Sequence, residues 1–145
     1  AALNLLRLAH MTGREDYRKM AEEIFRAFAG SVSRYPSGHA MLLTALDFAY
    51  GNVKEIVIAG DPEHEEIQKA IRLLHVSFLP QSVYLYHPGG DEGDMIRQIS
   101  SVVRDKGAVN GKPAFYVCEN FSCQAPVFEA KQLGQRLGVD NPVHE

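Results

Sequence analysis

The two cysteines of the chain, Cys118 and Cys123, are the residues best suited to chemistry, and four residues separate them. A thiolate is a nucleophile and a metal ligand, and two thiols brought together by a tight turn can form a disulfide. Redox pairs usually enclose two residues, and a structural zinc site needs more ligands than this stretch offers. The spacing therefore favours a structural pair, with reversible thiol redox chemistry as the alternative, and we predict no metal and no cofactor.

Polar residues also stand where predicted strands end. Asp61 follows the first strand, His87 follows the second, and Cys118 closes the third with Asn120 just beyond it. Ligands collect at the carboxyl ends of parallel strands, so these side chains could share one edge and form a nucleophilic site. Asp61 can equally serve as a helix cap, and cysteine is commonly buried and inert. We predict no catalytic residue and retain Asp61, His87 and Asn120 as candidate edge positions.

Residues 1 to about 50 follow a helical pattern. Apolar residues recur at three- and four-residue intervals from Ala2 to Met11 and from Tyr17 to Phe28, which predicts two helices. A third helix, from about Ser37 to Tyr50, has almost no polar face and must be buried on most sides. We expect the α/β segment or sequence outside this chain to cover it. A single helical hairpin without a second repeat suggests a piece of a longer protein.

From Lys54 the pattern of apolar residues becomes that of strands alternating with helices. Short runs rich in β-branched and aromatic residues predict strands at 55–59, 83–86 and 114–118, with a fourth strand at 124–127 as an option. Asp61 should cap the helix that follows the first strand, a short helix should span about 93–104, and Gly138 should end the last helix. This order predicts a small, mostly parallel three- to four-stranded sheet with flanking helices. The fold class is therefore α/β, with an N-terminal helical hairpin and a buried third helix.

The composition excludes several classes of protein. The chain has 145 residues, of which 46% are hydrophobic and 23% charged, and its formal net charge is -3. That balance lacks the basic footprint of a nucleic-acid-binding module. No apolar run approaches the roughly 20 residues of a membrane-spanning helix. No basic segment followed by an apolar stretch marks a signal peptide, and we expect a cytoplasmic protein.

One stretch carries a recognisable signature. It runs from Ala114 to Val127, and its matching positions are Tyr116, Val117, Cys118, Glu119, Asn120, Cys123 and Pro126. In this signature the chain resembles the spermatogenesis-associated thioredoxin-like proteins and their bacterial and archaeal relatives, a family without a known function. The strand and turn from Glu55 to Pro62 and the hairpin from Leu3 to Phe28 are also similar to that family. One departure is Val127-Phe128, where the family often has residues that cap the last helix.

The resemblance implies a larger parent protein. Members of that family have an N-terminal thioredoxin-like domain, then a toroid of paired helices similar to six-hairpin glycosidases, and an α/β tail. On this basis residues 1–52 would be the closing helices of an α/α toroid, and residues 53–145 a small α/β C-terminal domain. The implied partners are the thioredoxin-like domain and the toroid of the same protein, and the separated segment should self-associate. We expect neither nucleic acid nor a membrane as a partner.

Three hypotheses of function remain. The first is a non-catalytic C-terminal segment that packs against and closes the toroid. The second is a thiol redox module in which Cys118 and Cys123 exchange electrons with the thioredoxin-like domain of the parent. The third, which rests on the resemblance of the toroid alone, is a carbohydrate-active parent protein of epimerase or glycosidase type.

Overall fold

A computed structural model describes residues 1–119 and 122–139. In chain order, the elements are α1 (Ala2–Thr12), α2 (Glu15–Arg34), a 3₁₀ turn (Pro36–His39), α3 (Ala40–Tyr50), β1 (Lys54–Ala59), α4 (Glu65–Val76), β2 (Ser82–His87), α5 (Gly90–Ile99), a second 3₁₀ turn (Ser101–Val103), β3 (Ala114–Glu119), β4 (Ser122–Cys123) and α6 (Ala130–Leu137). The predicted mixed α/β class with an N-terminal helical hairpin is confirmed.

The strands form one sheet in the order β2-β1-β3-β4. β1 and β2 are parallel, but β3 runs antiparallel to β1, and β4 antiparallel to β3. The prediction of a mostly parallel sheet is therefore wrong. Periodicity shows which residues face inward but not the direction in which a strand enters the sheet. The connection through α5 and the second 3₁₀ turn brings the chain back to the same end of the sheet, because Ala114 at the start of β3 is level with Ala59 and His87.

The fourth strand is also displaced from its predicted position. Ser122 and Cys123 pair with Glu119 and Cys118, so β4 lies before the predicted 124–127 stretch. Of that stretch, Val127 forms an isolated bridge to Phe115, and the Gln124 N–H donates a hydrogen bond to the Val117 carbonyl oxygen. The disulfide between Cys118 and Cys123 joins β3 to β4 at this pair.

Layers of side chains cover both faces of the sheet. Ile56, Ile58 and Phe115 pack against α4 and α6, and their side chains are fully buried. Val57 and Tyr116, on the other face, pack against the second 3₁₀ turn and α5. Alternate residues of a strand point to opposite faces, so a strand covered on both sides must be apolar at every position. The apolar run of β1 satisfies this condition.

The helical hairpin attaches to the sheet through α1. Leu6 and Phe48 share a core cluster with Val53 and Val83, at the amino-terminal ends of β1 and β2. At its carboxyl end α1 is tied to the second 3₁₀ turn, because the Ser100 hydroxyl donates a hydrogen bond to the Met11 carbonyl oxygen. The division of the chain into domains at residue 52 stays a prediction.

Two predicted helix starts differ from the structure. Asp61 does not cap α4, because the helix begins at Glu65. The cap is His64, whose imidazole Nδ1 accepts a hydrogen bond from the Glu66 backbone N–H. Asp61 instead accepts a hydrogen bond from the Glu63 N–H in the preceding turn. The helix predicted at 93–104 begins earlier, at Gly90, and ends at Ile99. The backbone of Ser100 is extended, which interrupts that helix before the second 3₁₀ turn.

The last helix obtains its cap from a distant residue. No side chain near Glu129 caps α6, but the Glu66 carboxylate on α4 accepts a hydrogen bond of 2.7 Å from the Ala130 N–H. Burial works to raise the pKa of Glu66, but this bond and the neighbouring Lys69 outweigh it, and the pKa lies below its usual value. The departure at Val127-Phe128 thus leaves the helix in place. The predicted stop at Gly138 is confirmed, with a left-handed φ of 70°.

Candidate functional site

The cysteine pair lies at the end of the sheet where β1 begins. Cys118 and Cys123 are directly opposite each other on β3 and β4 and are joined by a disulfide. Cys118 is only 1% exposed, whereas Cys123 is an exposed residue of the edge strand. One sulfur is therefore part of the protein interior, and the other belongs to a residue at the surface.

Glu55 is the neighbour of Cys118 across the sheet. The two residues are paired in the antiparallel ladder of β1 and β3, so their side chains lie on the same face. The Glu55 carboxylate forms a hydrogen bond with His10, with 2.9 Å between Oε1 and the imidazole Nδ1. Both side chains are largely buried, and the His10 ring also packs edge-on against Phe48.

A cleft of about 280 Å³ brings these groups together. It lies where α1 and the start of α2 meet the sheet. Its lining includes His10, Glu55, Cys118 and Cys123. The charged side chains around them are Arg14, Glu15, Arg18 and Lys106. The arrangement provides a disulfide, a titratable imidazole and a carboxylate around one opening. Chemically, it could support exchange between a thiol and the disulfide.

The candidate edge positions do not join this cleft. Ala59 is level with His87 on β2 and with Ala114 at the start of β3, so the ends of β1 and β2 lie opposite to the end of β3. Cys118 is therefore at the far end of the sheet from Asp61 and His87. Asn120 lies outside the described residues. A chemical role for Asp61, His87 or Asn120 stays a prediction.

His87 lies beneath α5, where its side chain is 1% exposed. Among the residues that the structure describes, none forms a hydrogen bond with either imidazole nitrogen. Burial, assisted by the nearby Arg97 charge, lowers the pKa of His87 below its usual value. The lowered pKa favours the neutral ring, which lies close to Gly93 of α5.

Sequence reasoning missed His10 and Glu55. The inward position of His10 could have been inferred from Leu6, one helical turn earlier, because residues four apart share a face of a helix. Glu55 alternates with Val57 and therefore occupies an inward-facing strand position, where a carboxylate needs a partner. These two signals predict a buried polar pair, but neither identifies the partner of the other.

Fold and site together define the class: a mixed α/β protein with a disulfide-bonded edge hairpin beside a histidine–carboxylate pair. The chain is similar to spermatogenesis-associated protein 20 of Rattus norvegicus, with 26% identity over 137 residues that cover 94% of this chain and 17% of that protein. It is similar to the protein of the same name from Homo sapiens, with 27% identity over 139 residues and the same coverage. For Mus musculus the identity is 27% over 140 residues, also with 94% and 17% coverage.

These similarities support the resemblance found in the cysteine signature, at moderate identity over nearly the whole chain. The chain spans about 17% of the length of the relatives it matches. No family model matches the chain, and no solved structure matches it. Within residues 1–119 and 122–139, no helix is both long enough and apolar enough to cross a membrane.

Proposed function

We propose that this chain is a non-catalytic C-terminal segment of a larger protein, and that it packs against and closes a helical toroid. In this proposal residues 1–52 are the closing helices, and residues 53–145 form a small α/β domain beside them. The small share of the relatives that the chain covers supports a larger parent. The observation that carries the proposal is the uncovered apolar surface of α2 and α3.

The apolar faces of these two helices are poorly covered. Of the 20 residues of α2, Ala21 is the one that is buried, although the helix has a distinct apolar side. Phe28 is 47% exposed, and Met41 at the start of α3 is 71% exposed. The expectation that α3 is buried on most sides is not met by the α/β segment. An exposed apolar surface of this kind marks a site of interaction.

The uncovered surface has the form of a groove between helix ends. It encloses about 630 Å³ and is lined by the start of α1, the second half of α2 and the start of α3, with Phe28 and Met41 among the lining residues. The occupant we propose is a neighbouring helical hairpin of the parent protein. Ridges of side chains on one helix pack into grooves of another, and hairpins in a toroid meet their neighbours in this way.

Self-association of the isolated chain tests this proposal. The uncovered groove should drive dimer formation, which size-exclusion chromatography with light scattering measures as a function of concentration. The double substitution Phe28→Ser, Met41→Ser should weaken the dimer at least tenfold. Phe78→Ser is the matched control, because Phe78 is 89% exposed but lies outside the groove, after α4.

A strictly monomeric wild-type chain that binds no apolar dye would contradict the proposal. So would a dimer that Phe78→Ser weakens as much as the double substitution does. Circular dichroism of each variant establishes that the helices remain folded, so that a loss of association is not a loss of structure.

A second candidate function is thiol–disulfide exchange with the thioredoxin-like domain that we propose for the parent. The disulfide between a buried cysteine and an exposed one favours it. We also propose a cytoplasmic location, where disulfides are usually transient and either catalytic or redox-sensing. A disulfide that persisted there without turnover would have to resist the reducing thiols of the cell.

Reduction of the folded chain tests the second candidate. Native mass spectrometry after incubation with a reduced thioredoxin should show a gain of two hydrogens within minutes, while circular dichroism remains unchanged. A disulfide that is reduced only after unfolding in denaturant would show a purely structural pair. The third hypothesis, a carbohydrate-active parent protein, stays a prediction. Only sugar turnover by this chain alone would assign that activity to this segment.

A further inference from the structure

The two sulfurs of the disulfide are not equivalent targets for a thiol. Cys123 is exposed on the edge strand, whereas Cys118 is buried on β3. An attacking thiolate must approach along the surface, so it reaches Sγ of Cys123 first. Sγ of Cys118 is then the leaving group, and it leaves as a thiolate in a largely buried position. A buried anion is costly unless a positive or proton-donating group is close by.

His10 is the group placed to meet that charge. Its Nδ1 lies 2.9 Å from Glu55 Oε1, and an ionised carboxylate accepts hydrogen bonds only. The tautomer with its proton on Nδ1 satisfies an ionised Glu55 carboxylate, and this hydrogen bond orients the ring and leaves Nε2 as the nitrogen available to a second partner. Glu55 is also the cross-strand neighbour of Cys118, and His10 and Cys118 line the same cleft.

We propose that this cleft is the site where a dithiol of the thioredoxin type attacks the disulfide, and that His10, oriented by Glu55, donates a proton to the departing Cys118. The inference rests on the second candidate function. The first thiolate of the dithiol forms a bond with Sγ of Cys123, the Cys118–Cys123 bond breaks, and its electron pair remains on Sγ of Cys118. His10 gives its Nε2 proton to that sulfur, directly or through one water, and regains a proton from solvent.

The second step completes the exchange. The second thiolate of the dithiol attacks the first sulfur of the dithiol, which is bonded to Cys123 in the mixed disulfide. The bond to Cys123 breaks, and the released Cys123 thiolate takes a proton from water. The dithiol has lost two electrons and becomes a disulfide, and the two cysteines of this chain have gained them as thiols. No other oxidant or reductant is required.

Other charged groups share the cleft with His10 and could affect the same proton. These are Arg14 just before α2, Glu15 and Arg18 on α2, Lys106 after the second 3₁₀ turn, and Glu55 on β1. Arg14 is engaged by Asp16 and Arg18 by Glu15, so the carboxylate of Glu55 is the charge in direct contact with the ring. His10 should therefore dominate the pH dependence of the exchange.

Stopped-flow reduction of the folded chain by a reduced thioredoxin, measured from pH 5.5 to 8.5, tests the inference. His10→Gln removes the proton-donating nitrogen and should slow the reduction about tenfold at pH 7. It should also flatten the pH dependence of the reduction rate. Glu55→Gln should have an intermediate effect. His75→Gln is the matched control, because His75 is exposed on α4 and lies outside the cleft.

A second readout separates a role in proton transfer from a role in folding. In a Cys123→Ser background, the absorbance of the thiolate reports the pKa of Cys118, which His10→Gln should raise and His75→Gln should leave unchanged. If thioredoxin reduces the wild type and both histidine variants at the same rate at every pH, the exchange function stands and the role of His10 is wrong. If the folded wild type is not reduced, the exchange function itself fails.

Discussion

The helical segment up to Tyr50 and the α/β segment from Val53 differ in how their apolar surface is covered. In the α/β segment, both faces of the sheet are packed, and the inner sides of α4 and α6 are buried. In the helical segment, α2 and α3 bury few residues and leave large apolar side chains in solvent. The sheet is packed on both faces, whereas the apolar side of α2 is covered only in part.

This contrast has a physical basis in the number of layers. A sheet with helices on both sides closes its own core, because both apolar faces of the sheet are covered. A helical hairpin has two helices and an apolar stripe on each, and a third helix without a polar face adds surface that two neighbours cannot cover. The helical segment therefore gains little stability from its exposed apolar residues until a partner packs on them.

Truncation of a core aromatic should show the largest difference between the segments. Phe115→Ala removes a fully buried ring from β3 and should reduce the free energy of unfolding by about 3–5 kcal/mol. Phe28→Ala removes the same ring from the open groove and should change it by less than about 0.5 kcal/mol. Urea unfolding followed by circular dichroism measures both. Equal losses would show that the helical segment has a closed core after all.

A methyl group added at Gly93 should have the next largest effect. Its Cβ would lie 2.9 Å from Cε1 of the buried His87 ring, which is closer than real Cβ contacts allow. Gly93→Ala should therefore destabilise the protein by about 1–3 kcal/mol through overpacking. Adding His87→Ala should recover part of that loss, since the two residues are in contact. Thermal unfolding of the single and double variants measures these changes in stability. If the stability changes of the two single variants simply add in the double variant, the predicted contact between the two residues is wrong.

The buried His87 should make the α/β segment sensitive to acid. Its pKa is lowered in the folded state, so below about pH 6.5 the unfolded chain binds a proton that the folded chain does not. The stability contributed by this group is present above that pH and is lost as the pH falls toward the folded-state pKa, by up to about 1.4 kcal/mol per pH unit.

His87→Leu is the variant that isolates this effect. It removes the titration together with two nitrogens that have no hydrogen-bond partner among the described residues. Urea unfolding at pH 7.5 and pH 5 should give a smaller difference for His87→Leu than for the wild type. The same acid sensitivity in both proteins would assign the effect to other groups.

The smallest expected effect is a gain of stability in the helical segment. Gly30 lies within α2, and a Cβ there would meet nothing within 4 Å. Gly30→Ala should stabilise the isolated chain by about 0.5–1 kcal/mol, because alanine has the higher helix propensity. The opposite signs expected for Gly30→Ala and Gly93→Ala in thermal unfolding distinguish an open helix from a packed one.

Local signals in the sequence placed most elements accurately. The strands predicted at 55–59, 83–86 and 114–118 are present with one or two additional residues. Asn110-Gly111, a dipeptide typical of tight turns, forms such a turn, since both residues have positive φ and Val109 pairs with Lys112 across it. These features depend on neighbours within a few residues, for which periodicity and backbone preference are sufficient.

The candidate site depended on residues far apart in the chain. His10 and Glu55 are 45 positions apart, and the structure brings both to the cleft that Cys118 also lines. The same holds for the cap of α6, which comes from Glu66 on α4. A residue of such a pair leaves no mark on the sequence pattern near its partner. In the sequence, each of the two therefore looks like an ordinary polar residue.

The residues alone fixed the elements, the apolar faces and the spacing of the cysteines, because these follow from side-chain periodicity and turn preference along a few residues of chain. The direction of β3, the identity of the groups beside Cys118 and the uncovered side of α2 were decided by packing. A strand has the same sequence pattern whether its neighbour is parallel or antiparallel, and its direction depends on where the preceding connection returns to the sheet.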